Sequence, residues 1–215
     1  MAGEGRVIVA LDVGSAGEAL GIARGIGGSA FAIKVNWPLI LGAGVGIVGE
    51  LSRTARVICD LKIADIPNTN RLIVEKVVQQ GPWGIIAQAF PGRDSLSAVV
   101  DAAGGAKVFS VVAMSNEGSA QFIDRHVEEM IKMSRDAGAY GIVAPGNKPG
   151  RLASIKSAAD GLKIISPGIG AQGGSAGEAV RCGADYVIVG RSVYQSADPP
   201  GTLRRINEEI EALRL

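Results

Sequence analysis

"RVICDLKIADIPNTNRLIVEKVVQQGPWGIIAQAF" spans residues 56–90 and contains one complete structural unit. An aliphatic run, "RVICDLK" (56–62), is followed by "NRLIVEKVVQQG", which places Leu72, Ile73, Val77 and Val78 on one helical face. A second aliphatic run, "GIIAQAF" (84–90), closes the unit. Both runs are short, rich in β-branched residues and bounded by Gly, Pro or Asp. That is the pattern of strands buried on both faces of a parallel sheet. Strand, helix and parallel strand is the repeating element of an α/β fold.

The same alternation runs along the whole chain. Further aliphatic runs are "RVIVALD" (6–12), "FAIKV" (31–35), "KVFSVVAM" (107–114), "YGIVAP" (140–145), "KIISPG" (163–168) and "DYVIVGR" (185–191), making eight in all. Between them lie helical segments such as "SAGEALGIARGIG", "NEGSAQFIDRHVEEMIKMSRDAG", with Asn116 as the expected N-cap, and "SAGEAVRCGAD". "PPGTLRRINEEIEALRL" closes the chain as a helix entered through proline. Eight strand–helix units predict an α/β fold of the (β/α)8 TIM-barrel type, with residues 1–215 forming a single domain. The rival is an open doubly wound sheet, which usually has fewer strands and a GxGxxG turn after the first. "ALDVGSAGEAL" does not supply that turn.

Composition narrows the function classes. The 215 residues are 47% hydrophobic with 31 glycines and few aromatics, which suits tight turns around aliphatic strands. Net charge is +1 and no stretch concentrates Lys or Arg, so no nucleic-acid partner is expected. Cys59 and Cys182 form neither a CxxC nor a Cys/His cluster, so they read as buried thiols rather than a zinc site. No apolar run approaches the roughly 18 residues of a membrane span. "MAGEGRVIVALD" lacks the basic-then-apolar pattern of a leader, so a cytoplasmic protein is expected.

The polar residues gather where strands end, which in a barrel is the active face. Asp12 ends the first run and Lys34 lies near the end of the second. Asp60 and Lys62 end the third, and Asp65 follows in its loop. Asp60 and Lys62 are two apart and so share a side of their strand, with Cys59 and Leu61 on the other. An ion pair plugging the barrel is the ordinary alternative, but a buried pair adds little stability. The placement therefore points to chemistry.

The loops after the seventh and eighth strands form the usual phosphate site of such barrels. "SPGIGAQGG" offers Pro167, Gly168, Ile169 and Gln172, with glycines that let backbone N–H groups approach an anion. "VGRS" offers Gly190 and Arg191 at the start of a helix.

These residues resemble the orotidine 5'-monophosphate decarboxylase family in its short, archaeal-like form. The resemblance runs through "VIVALD", "FAIKVNWPLIL", "DLKIADIPNTN", "FPG", "AMS", "SPGIGAQGG" and "VIVGRS". Its most specific element is DxKxxDIPxT, where sister sugar-phosphate enzymes on the same barrel carry DxKxxDAG. The resemblance implies cofactor-independent conversion of orotidine 5'-monophosphate to uridine 5'-monophosphate, the last step of pyrimidine nucleotide synthesis.

It implies an alternating catalytic network of Lys34, Asp60, Lys62 and Asp65, with Lys62 giving a proton to C6 as carbon dioxide leaves. Asp12 and Lys34 would bind ribose hydroxyls and Ser115 the pyrimidine amide edge. Gln172 would bridge base and phosphate, and Gly190 and Arg191 would hold the phosphate. A homodimer is also implied, with Asp65, Ile66 and Thr69 reaching the partner's site; "ADIPNTN" is read as a loop that allows this. The rivals are a magnesium-dependent sugar-phosphate lyase or synthase of the same suprafamily and a catalytically silent nucleotide-binding barrel.

Some residues depart from the pattern or stand outside it. Many relatives have His near the end of the fourth strand, where this chain has Gln88, and no catalytic role is carried to it. His126, the chain's one histidine, is expected inside a helix as a solvated or packing residue, which rules out His-based triads. Trp37 is expected to pack in the core. Asp94 and Lys148 read as ordinary loop and helix-start residues, and "PGNKPGR" as a surface turn.

Overall fold

The computed structural model describes residues 5–213. Eight parallel strands, β1 (Val7–Leu11), β2 (Ala32–Asn36), β3 (Val57–Ile63), β4 (Gly84–Gln88), β5 (Lys107–Val111), β6 (Gly141–Val143), β7 (Lys163–Ser166) and β8 (Tyr186–Val189), pair in chain order. β8 returns to β1 and closes the barrel. The surrounding helices are α1 (Ala16–Ile26), α2 (Trp37–Ala43), α3 (Gly46–Ser52), α4 (Pro67–Val78), α5 (Arg93–Ala102), α6 (Val127–Asp136), α7 (Pro149–Ala158), α8 (Ala176–Arg181), α9 (Arg191–Tyr194) and α10 (Pro199–Ala212). All eight aliphatic runs form strands of a closed (β/α)8 barrel. The expected span of 1–215 extends past the described residues at both ends.

Strand alternation sorts the core into two shells. Val7, Val9, Ile33, Val35, Val57 and Cys59 face the helices. Ile8, Ile58, Ile86, Phe109, Val143 and Ile188 fill the barrel. The floor is aromatic. Phe31, Trp83, Tyr140 and Tyr186 stand at the N-terminal ends of the four even strands and pack in the row Tyr186–Phe31–Trp83–Tyr140, with Phe109 of β5 against Trp83 and Tyr140. This matches the layering of barrels, in which alternate strands supply one layer. Gly141 sits in register with Phe109, and a Cβ there would come within 2.8 Å of the Phe109 ring. The floor thus closes the barrel with five of the chain's few aromatics, leaving the opposite end free for polar groups.

The helical segments depart from expectation in three places. The helix after β3 starts at Pro67, so the loop is short and Thr69 and Asn70 already lie in its first turn. Its buried residues are Asn70, Val74 and Val77, whereas Leu72 is exposed, because the amphipathic face is rotated from the expected one. The segment after β5 breaks into two 3-10 turns, Glu117–Gln121 and Ile123–His126, before α6 begins. Asn116 makes no side-chain cap there. Cys59 is buried but Cys182 only half-buried, and both are free.

Candidate active site

A cavity of about 470 Å3 opens at the C-terminal ends of the strands. Its lining brings together Asp12, Lys34, Asp60, Lys62, Ser115, Pro167, Gly168, Ile169, Gln172, Gly190 and Arg191, all singled out from the sequence.

The charges form a row that alternates in sign. Lys34 Nζ lies 3.6 Å from Asp12 Oδ1 and 3.1 Å from Asp60 Oδ2. Lys62 Nζ donates to both Asp60 oxygens, at 2.8 and 2.9 Å. Lys34 and Asp60 are each 7% exposed at the side chain, whereas Lys62 is 42% exposed and reaches into the cavity. Burial opposes ionisation of Asp60, but the charges of Lys34 and Lys62 outweigh it and hold its carboxyl below the usual range. Beside it, burial and then the Asp60 charge push the Cys59 thiol up to about 12, so it stays a thiol.

Alternation keeps Lys62 on the inner face with Asp60, as the sequence implies, but the strand is irregular there. The β3–β4 register slips between Asp60 and Ile63, and Lys62 takes a φ of 45°. Among the described residues it is the one non-glycine in the left-handed region. Leu61 and Ile63 on either side are both buried among the outward-facing core residues. The bulge thus adjusts the backbone at the lysine while its neighbours stay packed. Trp37, expected in the core, is nearly half exposed instead. Its indole N–H donates to the Leu61 carbonyl at 3.0 Å, bracing this bulge from the start of α2.

Ser115 is held from outside. Asn147 Nδ2 donates to the Ser115 carbonyl at 3.4 Å. Lys148 Nζ donates to the carbonyls of Met114 and Asn116, at 3.3 and 3.2 Å. The Ser119 hydroxyl accepts the Met114 N–H and donates to Asp124. "PGNKPG" is therefore a brace for the Ser115 loop rather than a simple surface turn. Opposite, Gly168, Gly170 and Gly173 take positive φ. The Gly170 N–H donates to the Gly174 carbonyl and the Gly174 N–H to that of Gly168. This tight fold presents Ala171 and Gln172 to the cavity, with Arg191 on the next strand end.

Asp65, Ile66 and Thr69 do not line the cavity of their own chain. Asp65 and Ile66 are exposed. Their loop is held by Asn70, which is fully buried: its Oδ1 accepts the Asp65 N–H, and its Nδ2 donates to the Asp65 carbonyl and to Ser95 Oγ. Ser95 Oγ donates to the same Asp65 carbonyl. A rigid loop thus points its acid away from the barrel that carries it.

Gln88 is buried on the inner face of β4, and its Oε1 has no partner. His126 lies at the end of a 3-10 turn, exposed, with Nδ1 2.8 Å from Glu129. Asp94, expected in a loop, lies instead in the first turn of α5 and accepts the Ser95 N–H. Asn36, not singled out from the sequence, also lines the cavity; its signal was its position two residues past Lys34 on one strand. Among the described residues no group of three or more His, Cys, Asp and Glu could hold a metal ion, and no helix is long and apolar enough to cross a membrane.

Residues 5–206 match the model of the orotidine 5'-phosphate decarboxylase / HUMPS family. The chain is 52% identical over 207 residues to an orotidine 5'-phosphate decarboxylase of Thermoplasma acidophilum, covering 96% of each. It is 49% identical over 209 residues to that of Methanosarcina mazei, covering 96% of this chain and 95% of the relative. Among solved structures, orotidine 5'-phosphate decarboxylase from Pyrococcus horikoshii OT3 superposes with a TM-score of 0.89 at 42% identity, covering 95% of this chain and 99% of that one. The enzyme from Methanocaldococcus jannaschii complexed with inhibitor BMP gives 0.91 at 37% identity, covering 96% and 99%.

Proposed function

The chain belongs to the orotidine 5'-phosphate decarboxylase / HUMPS family, and from that premise we propose that it decarboxylates orotidine 5'-monophosphate to uridine 5'-monophosphate, with Lys62 as the proton donor to C6. The observation that carries this reading is the Lys34–Asp60–Lys62 row, which faces the Gln172 and Arg191 loops across one cavity.

Loss of carbon dioxide from C6 leaves a carbanion in an orbital that the ring π-system cannot delocalise. A fixed ammonium can stabilise that charge and then protonate it. Lys62 is the exposed cation of the row, and Asp60 fixes it with two hydrogen bonds. Asp60 also faces the position of the substrate carboxylate. Two like charges about 4 Å apart repel by only about 4 kcal/mol at an effective dielectric of about 20. The upper end of typical enzymatic acceleration needs about 23 kcal/mol. Stabilisation of the carbanion by Lys62, with binding energy drawn from the distant phosphate, therefore carries more of the barrier. Asp12 and Lys34 take ribose hydroxyls, and Ser115 reads the pyrimidine amide edge. Gln172 bridges base and phosphate. Gly190 and Arg191 hold the phosphate beside the Pro167–Gly168–Ile169 turn.

The working unit is a homodimer in which the partner's Asp65 and the partner's Thr69 complete each site, with the partner's Ile66 beside them. Two features support it. The Asp65 loop is rigid and turned outward, and apolar side chains follow it around the rim. Ile66 after β3, Phe90 after β4 and Phe122 after β5 are 65%, 58% and 75% exposed. Phe90 and Phe122 share an apolar groove with Met130 and Met133. Residues 1–215 act as one cytoplasmic domain.

The test is loss of orotidine 5'-monophosphate absorbance, with and without EDTA, followed by identification of the product. EDTA-resistant formation of uridine 5'-monophosphate is expected. Turnover abolished by EDTA would favour the magnesium-dependent sugar-phosphate chemistry of the suprafamily, and tight binding without turnover a silent barrel.

A further inference from the structure

The loop from Gly168 to Gly174 hangs on its last residue. The Gly170 N–H donates to the Gly174 carbonyl at 2.8 Å, and the Gly174 N–H donates to the Gly168 carbonyl at 3.1 Å. Gly173 closes a turn back onto Gly170. Gly168, Gly170 and Gly173 all take positive φ, so the tip has little stiffness of its own. Ala171 and Gln172, which face the cavity, are therefore placed by whatever fixes Gly174 and the residues just after it.

Those residues are held from the last helix. Ser175 is the N-cap of α8, and its Oγ accepts the Glu178 N–H. The same hydroxyl donates to Glu209 Oε1 of α10 at 2.7 Å, and the Gly177 N–H donates to that oxygen at 3.0 Å. Gly177 is small enough for this approach: a Cβ there would overlap Leu213 Cδ1 and come within 3.3 Å of Glu209 Oε1. Glu209 is exposed and does not line the cavity. Ser175 caps α8 with or without the carboxylate. What Glu209 adds is a link from the root of the loop to a helix 34 residues farther along the chain.

We propose that Glu209 is a positioning residue for phosphate binding. By pinning Ser175 and Gly177 to α10, it holds the Gly168–Gly174 loop in the arrangement that receives a phosphate beside Arg191. Without the pin, the ligand itself must order the loop, and apparent affinity falls with the fraction of molecules already in the receptive arrangement. The loss falls on the phosphate end alone, because the Ser115 loop is held by separate contacts from Asn147 and Lys148. The inference rests on the phosphate-binding reading of the loop, and it concerns binding rather than turnover.

The test is equilibrium binding of uridine 5'-monophosphate and of uridine, which lacks the phosphate, to the wild type, Glu209→Ala, Glu209→Gln and Arg191→Ala, with thermal melting of each. Glu209→Ala should weaken the nucleotide by about fivefold and change uridine by less than about twofold. Glu209→Gln keeps an oxygen that accepts both hydrogen bonds, so it should stay within about twofold of the wild type for both ligands. Nucleotide affinity unchanged in Glu209→Ala, whether or not its melting temperature falls, overturns the proposal. Equal weakening of both ligands, or no rescue by glutamine, overturns it as well. Arg191→Ala reports on the underlying reading. If it weakens the nucleotide selectively while Glu209→Ala does not, the phosphate site stands and the inference alone fails. If Arg191→Ala leaves nucleotide binding unchanged, both fall.

Discussion

Lys62 Nζ sits 2.8 and 2.9 Å from the two carboxylate oxygens of Asp60, and the backbone of Lys62 takes a φ of 45° to hold it there. Backbone strain and a charge pair coincide at one residue. Such strain persists where surrounding structure over-determines it, and here the buried Leu61 and Ile63 do so.

The strain separates stability from activity. Lys62→Ala and Lys62→Gly both remove the ammonium, so each should lower turnover by about ten-thousand-fold or more while binding of uridine 5'-monophosphate stays measurable. They differ in the backbone. Glycine occupies the left-handed region freely, so Lys62→Gly should be more stable than Lys62→Ala by about 1 kcal/mol, the reverse of the order at ordinary sites. Thermal melting of the two variants checks this. Retained turnover in either would remove Lys62 from the proton-donor role.

Asp60 sets an acid limit. Its folded carboxyl titrates below its unfolded value, so the stability it contributes is fully present above the unfolded value. That contribution is lost as pH falls through the folded one. Unfolding free energy should therefore drop below about pH 4. In Asp60→Asn that part of the pH dependence should vanish, and the neutral-pH stability should fall because Lys34 loses its near partner. Denaturant titrations of both proteins across pH 3 to 7, a range set by the carboxylate values, measure the difference.

The shared site can be tested by mixing. Lys62→Ala and Asp65→Ala homodimers should each be nearly inactive. If the acid acts on the partner's site, a mixed dimer has one doubly damaged site and one intact site. After subunit exchange, about a quarter of wild-type activity should return, since half the dimers are mixed and half their sites intact. No recovery, with exchange verified by mass, would place Asp65 elsewhere.

Asn70 should matter beyond its size. It is fully buried and holds the Asp65 backbone from both its N–H and its carbonyl. Asn70→Ala leaves these groups unpaired and should lower stability by about 2 kcal/mol. It should also reduce activity more than it reduces binding of inorganic phosphate to the Arg191 loop. Melting, turnover and phosphate titration together separate a loop effect from general unfolding.

The strands and the two phosphate-type loops were readable because their signals are local. Val- and Ile-rich runs bounded by Gly and Pro mark buried parallel strands whatever lies around them. Asp60 and Lys62 were readable for the same reason. The bulge and the left-handed backbone at Lys62 were not, because no glycine stands at that position to mark a positive φ. Leu72 fooled the helical pattern: the apolar face was judged from hydrophobicity alone, and the buried polar Asn70 rotated it. Trp37 was misplaced because an indole at the rim can expose its ring while its N–H finds a distant carbonyl.

By itself, then, the order of residues determined an eight-unit barrel, the end of the barrel that holds the chemistry and the residue types gathered there. Tertiary structure alone decided how they meet. Lys34 spans Asp12 and Asp60 because β1, β2 and β3 pair in one register, and the aromatic floor closes because four even strands deliver side chains to one level. Periodicity reports which face of its own element a side chain takes. Only the closure of the sheet determines which side chains from remote segments share that space, and therefore which charges come close enough to act together.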